Sequence, residues 1–306
     1  MTEAAAALDL RGNPARRKRE SRIRRALLGA AALSVLINVL IVVALADGTF
    51  EFLGHVDLGA LWSDGWFPRR NLFDLRTIVV GTFLVAAVAM IVAAPLGLGA
   101  AMYLSEYASP RARRALKPVI EVLAGIPSVV MGFFALTWIS PNIAQRLFGA
   151  TAFNMLAAGI GVGILITPLV ASVAEDAMFA VPKSLREASY GLGAKKWHTS
   201  LRVVFPAAVS GIVAALILGL SRAIGETLVV AIAAGGTGGS LFTLDVTGPG
   251  QTMTAAMTAL ATGSDQVKGA SEAFSSLFFV GTLLFLMTLS LNVISERFIR
   301  RVRRRY

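Results

Sequence analysis

The sequence predicts an all-α bundle of membrane-spanning helices, and three observations carry that prediction. The 306-residue chain is 56% apolar and only 15% charged, where soluble domains carry roughly 25% charged residues. Its mean hydropathy is +0.70. Six stretches, at 27–46, 77–103, 119–139, 152–178, 206–233 and 273–295, are apolar over about the 20 residues that a bilayer core requires.

The first stretch follows the basic run RRKRESRIRR. It is too long for the apolar region of a signal peptide, and no clean cleavage site follows it, so it reads as a retained helix. Arg76 opens the second stretch and reads as an interface anchor, with anion collection as the second reading. Pro127, after Gly125-Ile126, breaks the third, and Thr167-Pro168 kinks the fourth. Such breaks are tolerated in a membrane where neighbouring helices or a cavity satisfy the freed backbone groups. A bend in the bundle is the first account of both, and lining of a pore the second. GIGVG at 159–163 reads as a packing stripe rather than a dinucleotide fingerprint. Glu121 and Asp176 fall near inner helix ends and read as interfacial.

The basic residues alternate. Eight Lys or Arg lie in 1–26, four in 104–118, five in 179–205 and six in 296–306, which is 23 of the 29. Between them stand Arg69, Arg70, Arg76, Arg146 and Lys268, with Arg222 inside a span. The excess of Lys and Arg in alternate segments places both termini in the cytoplasm. The two basic tails read as orientation signals that touch anionic lipid, not as nucleic-acid arms.

Several functions are excluded. No cysteine is present, so there is no disulfide framework, thiolate metal site or thiol nucleophile. The two histidines, His55 and His198, are far apart, and neither a catalytic nor a metal site is expected. The segments 47–75 and 234–272 are too short for separate domains, and GGTGGS reads as a flexible turn. No G-x-x-x-x-G-K-[ST] occurs, so any ATP is bound by another chain.

Residues 179–206, FAVPKSLREASYGLGAKKWHTSLRVVFP, are long for a connection. Pro182 can open a helix, Gly191 and Gly193 end it, and AKKWHTSLRVVF starts another before Pro206. A glycine at the junction permits a tight turn that a side chain would obstruct. Two short helices meeting there form a compact knob on the cytoplasmic side.

The knob resembles the EAA loop of ABC importer permeases, written E-A-A, three residues, Gly, nine residues, I-x-L-P. Here it reads Glu187-Ala188-Ser189, Gly193, Val203-x-Phe205-Pro206, with the spacing kept and Ser189, Val203 and Phe205 departing slightly. The resemblance implies the MetI-like permease fold and a coupling helix that fits a cleft on an ATP-hydrolysing subunit. Glu187, Ala188, Gly193, Lys195 and Pro206 would form that coupling segment. PLGLGAAMYLSEYAS, VLAGIPSVVMGFFAL and GLSRAIGETLVV are similar to the phosphate-uptake permeases over roughly residues 74–235. The last of these is more similar to the C-type (PstC-like) than to the A-type subunit.

The resemblance divides the chain into a basic cytoplasmic tail at 1–26, a first helix and outer segment at 27–70, a permease core at 71–296 and a second basic tail at 297–306. It implies an inner-membrane subunit that forms half a pore with a second, A-type-like permease. Two ATPase subunits would hold ATP and Mg, and an extracytoplasmic binding protein would deliver phosphate. This chain would carry no cofactor, no metal and no catalytic residue, and it would bind no nucleic acid. Three rivals stay open: a sulfate or molybdate permease, a membrane-embedded enzyme such as a lipid phosphatase, and a channel or carrier without a partner. No His/Asp or Ser/His cluster supports the enzyme, and the last rival has no use for the 179–206 knob.

Arg222 and Glu226 are the only charges between Pro206 and Gly235. A charge at the bilayer centre costs at least about 2.5–3.5 kcal/mol. Arg222 lies 16 residues past Pro206, about 24 Å along a helix, beyond the middle of a core about 30 Å thick. On a continuous helix the pair shares one face, which runs back through the small residues Gly219, Ala215 and Gly211 and allows close helix contact. Two accounts remain: an ion pair that locks the helix, or a guanidinium fork that meets phosphate oxygens while Glu226 keeps binding weak enough for release. The family resemblance implies the second.

Overall fold

A computed structural model describes residues 14–236, 238–263 and 271–303. The extreme ends of both basic tails, Thr237 of the GGTGGS turn and Lys268 lie outside the described residues.

Four long helices cross the apolar stretches without a sharp break. They are α1 (Pro14–His55), α2 (Leu75–Met102, continued by a π-helical turn at Tyr103–Tyr107), and later α6 (Met155–Phe179) and α13 (Ser271–Arg303). Two further crossings are bent, which brings the count to six when each bent pair is one span. The first pair is α3 (Pro110–Leu123) and α4 (Ser128–Phe134), set at 85°. A π-helical stretch at Ala135–Gln145 and α5 (Arg146–Phe148) extend α4.

The third crossing is therefore not the span expected over 119–139. Pro127 has no N–H to donate and disfavours helical backbone at Ile126, so α3 stops at Leu123 and the chain turns before entering the bundle. α3 carries Arg111, Arg113, Arg114 and Lys117 and buries none of its residues.

After α6 come α7 (Lys183–Gly191), α8 (Lys196–Thr199), a π-helical turn at Ser200–Val204, and α9 (Phe205–Ala207). The backbone bends at Ala208 by 73° into α10 (Val209–Ile224). α11 (Leu228–Ala233) and α12 (Met253–Ala261) follow. The fifth span is thus also corrected: the helix expected through 206–233 is interrupted at residues 225–227.

α2 and α6 form the centre, and small residues let them approach. A side chain at Gly159 would collide with Val88, and one at Gly163 with Val92 and the Ala89 carbonyl. Gly161, two residues from each and so on another face, presses against Ala135 and Val229. The GIGVG stripe is a packing device, as its composition predicts. Pro168 sits inside α6 without ending it, and the Thr167 hydroxyl donates to the Gly163 carbonyl at 2.7 Å.

A second apolar cluster gathers Phe52, Trp66, Phe73 and Ile78 with Met253, Leu260, Ala273 and Val280. It joins the two segments expected on the outer face. A short hairpin of β1 (Trp66–Phe67) and β2 (Leu72–Phe73) exchanges backbone hydrogen bonds of 2.8 and 3.0 Å with Ser240. The end of the GGTGGS segment, Gly239 and Ser240, is accordingly held against the hairpin. Gly239 has φ +108° and lies so close to Phe67 and the Trp66 carbonyl that any side chain would collide. Arg76 is held within the outer segment: its Nε donates to Asp74 at 2.9 Å and its Nη2 to the Ser63 carbonyl at 3.1 Å.

Candidate functional site

Arg222 occupies the last turn of α10, and Glu226 lies beyond its end. The small-residue face behind Arg222 packs as expected. Gly211 abuts Ala177, Gly219 abuts Val170, and Ala215 is fully buried. The pair itself does not share a continuous helical face. Gly225, a weak helix former, caps α10, and residues 225–227 leave the helix.

The backbone freed by this break is satisfied within the protein. The Thr254 hydroxyl, from the first turn of α12, donates to the Glu226 carbonyl at 2.7 Å. The Thr227 N–H donates to Glu226 Oε1 at 3.2 Å, and the Thr227 hydroxyl to the Gly225 carbonyl at 3.3 Å. Irregular backbone at membrane depth requires such partners. Thr227 and Thr254 escaped the sequence reading because nothing in their spacing links α12 to residue 226.

The two charges differ in setting. The Glu226 side chain is 3% exposed and that of Arg222 is 55% exposed, with Arg222 Nη2 3.7 Å from Glu226 Oε2. That separation is too long for a hydrogen bond. Among the described residues the Arg222 guanidinium donates no hydrogen bond at all. A permanently charged planar donor stands open on the surface of the subunit, with a buried carboxylate beside it for balance. Such an arrangement can take an oxyanion and let it go.

The 179–206 segment folds as two short helices meeting at a glycine. Pro182 precedes α7, and the Gly193 and Ala194 N–H groups bond back to Tyr190 and Ser189 at 2.9 and 3.1 Å. Gly193 has φ +79°, yet a Cβ there would meet nothing within 4 Å. The glycine is required by conformation, not by the crowding that the sequence predicts. Ser189, where the family pattern has Ala, bonds Thr199 across the turn at 2.9 Å. Glu187, Ala188, Gly193 and Lys195 are exposed on the knob, while Pro206 is half-buried in α9, two residues before the bend. Leu192 at the tip is 90% exposed, and Leu185, Tyr190 and Trp197 of the same segment are exposed too.

At the same end of the bundle Asp176 is exposed and takes a hydrogen bond from Lys117 Nζ. Its neighbour Glu175 escaped notice. The Glu175 side chain is buried and takes hydrogen bonds from Arg113 Nε at 2.7 Å and Lys117 Nζ at 2.8 Å. Arg113 also lies 3.6 Å over the Phe179 ring. These contacts seat α3 on α6.

Comparison with known proteins agrees with this architecture. Residues 93–306 match the family described as binding-protein-dependent transport system inner membrane component. The chain is 38% identical over 223 residues to the "Probable ABC transporter permease protein YqgH" of Bacillus subtilis (strain 168), covering 71% of this chain and 72% of that one. It is 31% identical over 304 residues to the "Phosphate transport system permease protein PstC" of Xylella fastidiosa (strain 9a5c), covering 91% and 90%. In structure it is similar to a bacterial alginate ABC transporter crystallised with an alginate pentasaccharide-bound periplasmic protein. There the TM-score is 0.63 at 16% identity, over 92% of this chain and 97% of that one, a likeness of fold. With the helical bundle and two thirds of the sequence matching, the chain belongs to the binding-protein-dependent transport system inner membrane components, the permeases of ABC importers, and is a transport subunit rather than an enzyme.

Proposed function

We propose that this chain is the C-type permease of an ATP-driven phosphate importer in a bacterial inner membrane. It forms half of the path, and a second, A-type-like permease forms the other half. Two ATPase subunits, which hold ATP and Mg, dock on the 179–206 knob, and a phosphate-binding protein delivers the anion from outside. The observation that carries the anion assignment is the open Arg222 guanidinium beside buried Glu226. Its five donors suit phosphate oxygens. The names of relatives that span nine tenths of the chain support phosphate over other oxyanions.

The test is reconstitution. The chain, co-purified with its second permease and ATPase subunits, should drive ATP-dependent phosphate uptake into vesicles when the binding protein is present. Excess sulfate or molybdate should leave that uptake unchanged. Uptake of sulfate or molybdate in place of phosphate would reassign the substrate.

The basic bias of the alternate segments supports a cytoplasmic position for both termini. A reporter fused after Tyr306 is expected to read cytoplasmic, and one inserted near Gly238 external. An external C-terminus would mean a miscounted span, with the first the leading candidate.

A further inference from the structure

We propose that Arg186 and Glu106 form a pin through which the 179–206 knob moves the helix bundle, an inference that rests on reading the knob as the ATPase docking site. Within the knob Val181 and Val204 are buried with Met178 and Ile212, and Lys196 lies 5.0 Å over the Tyr107 ring at the end of α2, but α7 itself is loosely seated. α7 buries none of its residues, and its apolar side chains Leu185 and Tyr190 face outward. Its side-chain bond at Ser189 goes to Thr199, which belongs to the second helix of the same knob. A docked partner that pulled on α7 would therefore find little apolar contact to transmit the movement.

Arg186 supplies a firm connection. Its Nη2 donates to Glu106 Oε1 at 2.8 Å and to the Met178 carbonyl at 2.9 Å. Its Nη1 donates to the Val181 carbonyl at 2.6 Å, and its Nε faces both Glu106 oxygens at 3.3 Å. Met178 lies in the last turn of α6 and Val181 two residues beyond it, where carbonyls at a helix end can take a further donor. Glu106 lies on the π-helical end of α2, is 3% exposed, and takes a further hydrogen bond from the Ser105 hydroxyl at 2.9 Å. One side chain of α7 thus joins the ends of the two central helices.

The geometry suits transmission better than a lysine would. A guanidinium held on several sides by its planar fork resists rotation as well as separation. α6 carries the movement inward, since its Gly161 presses on Val229 of α11, just beyond the break that holds Glu226. The knob also continues along the chain through α9 into α10, which carries Arg222 in its last turn. Both sides of the break are then linked to the docking site, one by the chain and the other through Arg186.

The test uses the complete transporter in vesicles, with phosphate as the transported probe and three readouts: ATPase co-purification, ATP hydrolysis, and phosphate taken up per ATP hydrolysed. Glu106→Gln and Arg186→Gln are expected to keep the ATPase bound and hydrolysis within about twofold, while uptake per ATP falls roughly tenfold. Arg186→Lys, which keeps the charge without the fork, should fall between them and the wild type. Unchanged uptake per ATP in both assembled Gln variants would overturn the pin alone. Failure of both Gln variants to assemble would make the pair a lock on the fold and overturn the pin as well. A wild-type complex that binds no ATPase would overturn the docking assignment itself.

Discussion

Arg222→Gln is expected to lower phosphate uptake by roughly ten- to more than a hundredfold while the transporter still assembles with its ATPase. The magnitude follows from the loss of hydrogen bonds to a charged ligand, each contributing about 1.5–3 kcal/mol. Assembly should survive because Arg222 is 55% exposed and 3.7 Å from its counter-charge, so little of the subunit's own packing depends on it. Arg222→Lys should recover part of the uptake, since it restores the charge but not the fork. The measurement is initial phosphate uptake in vesicles, normalised to assembled complex.

The double variant Arg222→Gln with Glu226→Gln separates the two accounts of the pair. Replacing both partners of an ion pair by neutral groups of similar size is often nearly neutral for stability. If the pair only locks the backbone break, the double variant should transport again. If Arg222 meets the anion, the double variant should assemble well and still fail. Robust uptake at wild-type expression would discard the anion role. The break itself argues against a lock. Its backbone is held by the hydroxyls of Thr254 and Thr227 and by Glu226 Oε1, which accepts from the Thr227 N–H, while no hydrogen bond joins Arg222 to Glu226.

The bundle was legible in the sequence because hydropathy is local: twenty apolar residues read as a span whatever surrounds them. Pro127 announced a break, since a missing N–H is a property of one residue. The site of the α3–α4 turn was legible, but not that α3 would leave the bundle. The interruption after Ile224 was obscured because Gly225 and Glu226 are each tolerated inside helices, and the partner that satisfies the freed carbonyl, Thr254, stands 28 residues away. Glu106 and Arg186 are 80 residues apart, and Glu175 meets Arg113 across 62. Long-range ion pairs leave no periodic trace in one sequence. The knob was legible for the opposite reason, because its helices, its glycine and its spacing all lie within 28 residues.

That knob carries the last prediction. Glu187→Lys and Leu192→Asp are expected to abolish ATP-driven phosphate uptake while the chain still inserts and pairs with its second permease. Leu192 is 90% exposed at the tip, and Leu185, Tyr190 and Trp197 of the same knob are exposed as well. Large apolar side chains left exposed together on one short segment suit a surface that a partner covers, and a key contact in such a surface is worth about 2 kcal/mol or more. A carboxylate at Leu192, or a reversed charge at Glu187, would remain unpaired in the covered surface. Gly193 allows a finer discrimination, because its φ of +79° is the constraint and the space around it is open. Asn enters the left-handed region more readily than other side chains, so Gly193→Asn should keep most uptake. Gly193→Val, β-branched, should lose it, since left-handed backbone costs roughly 1–2 kcal/mol for ordinary residues and more for a branched one. Gly193→Asp can adopt the turn but adds charge to the docking surface, so it should fail through lost ATPase binding rather than lost folding. The readout is the amount of ATPase that co-purifies with each variant, set beside uptake. Normal transport by Leu192→Asp, Glu187→Lys and Gly193→Asp with the ATPase bound would show that the knob is not where the ATPase docks.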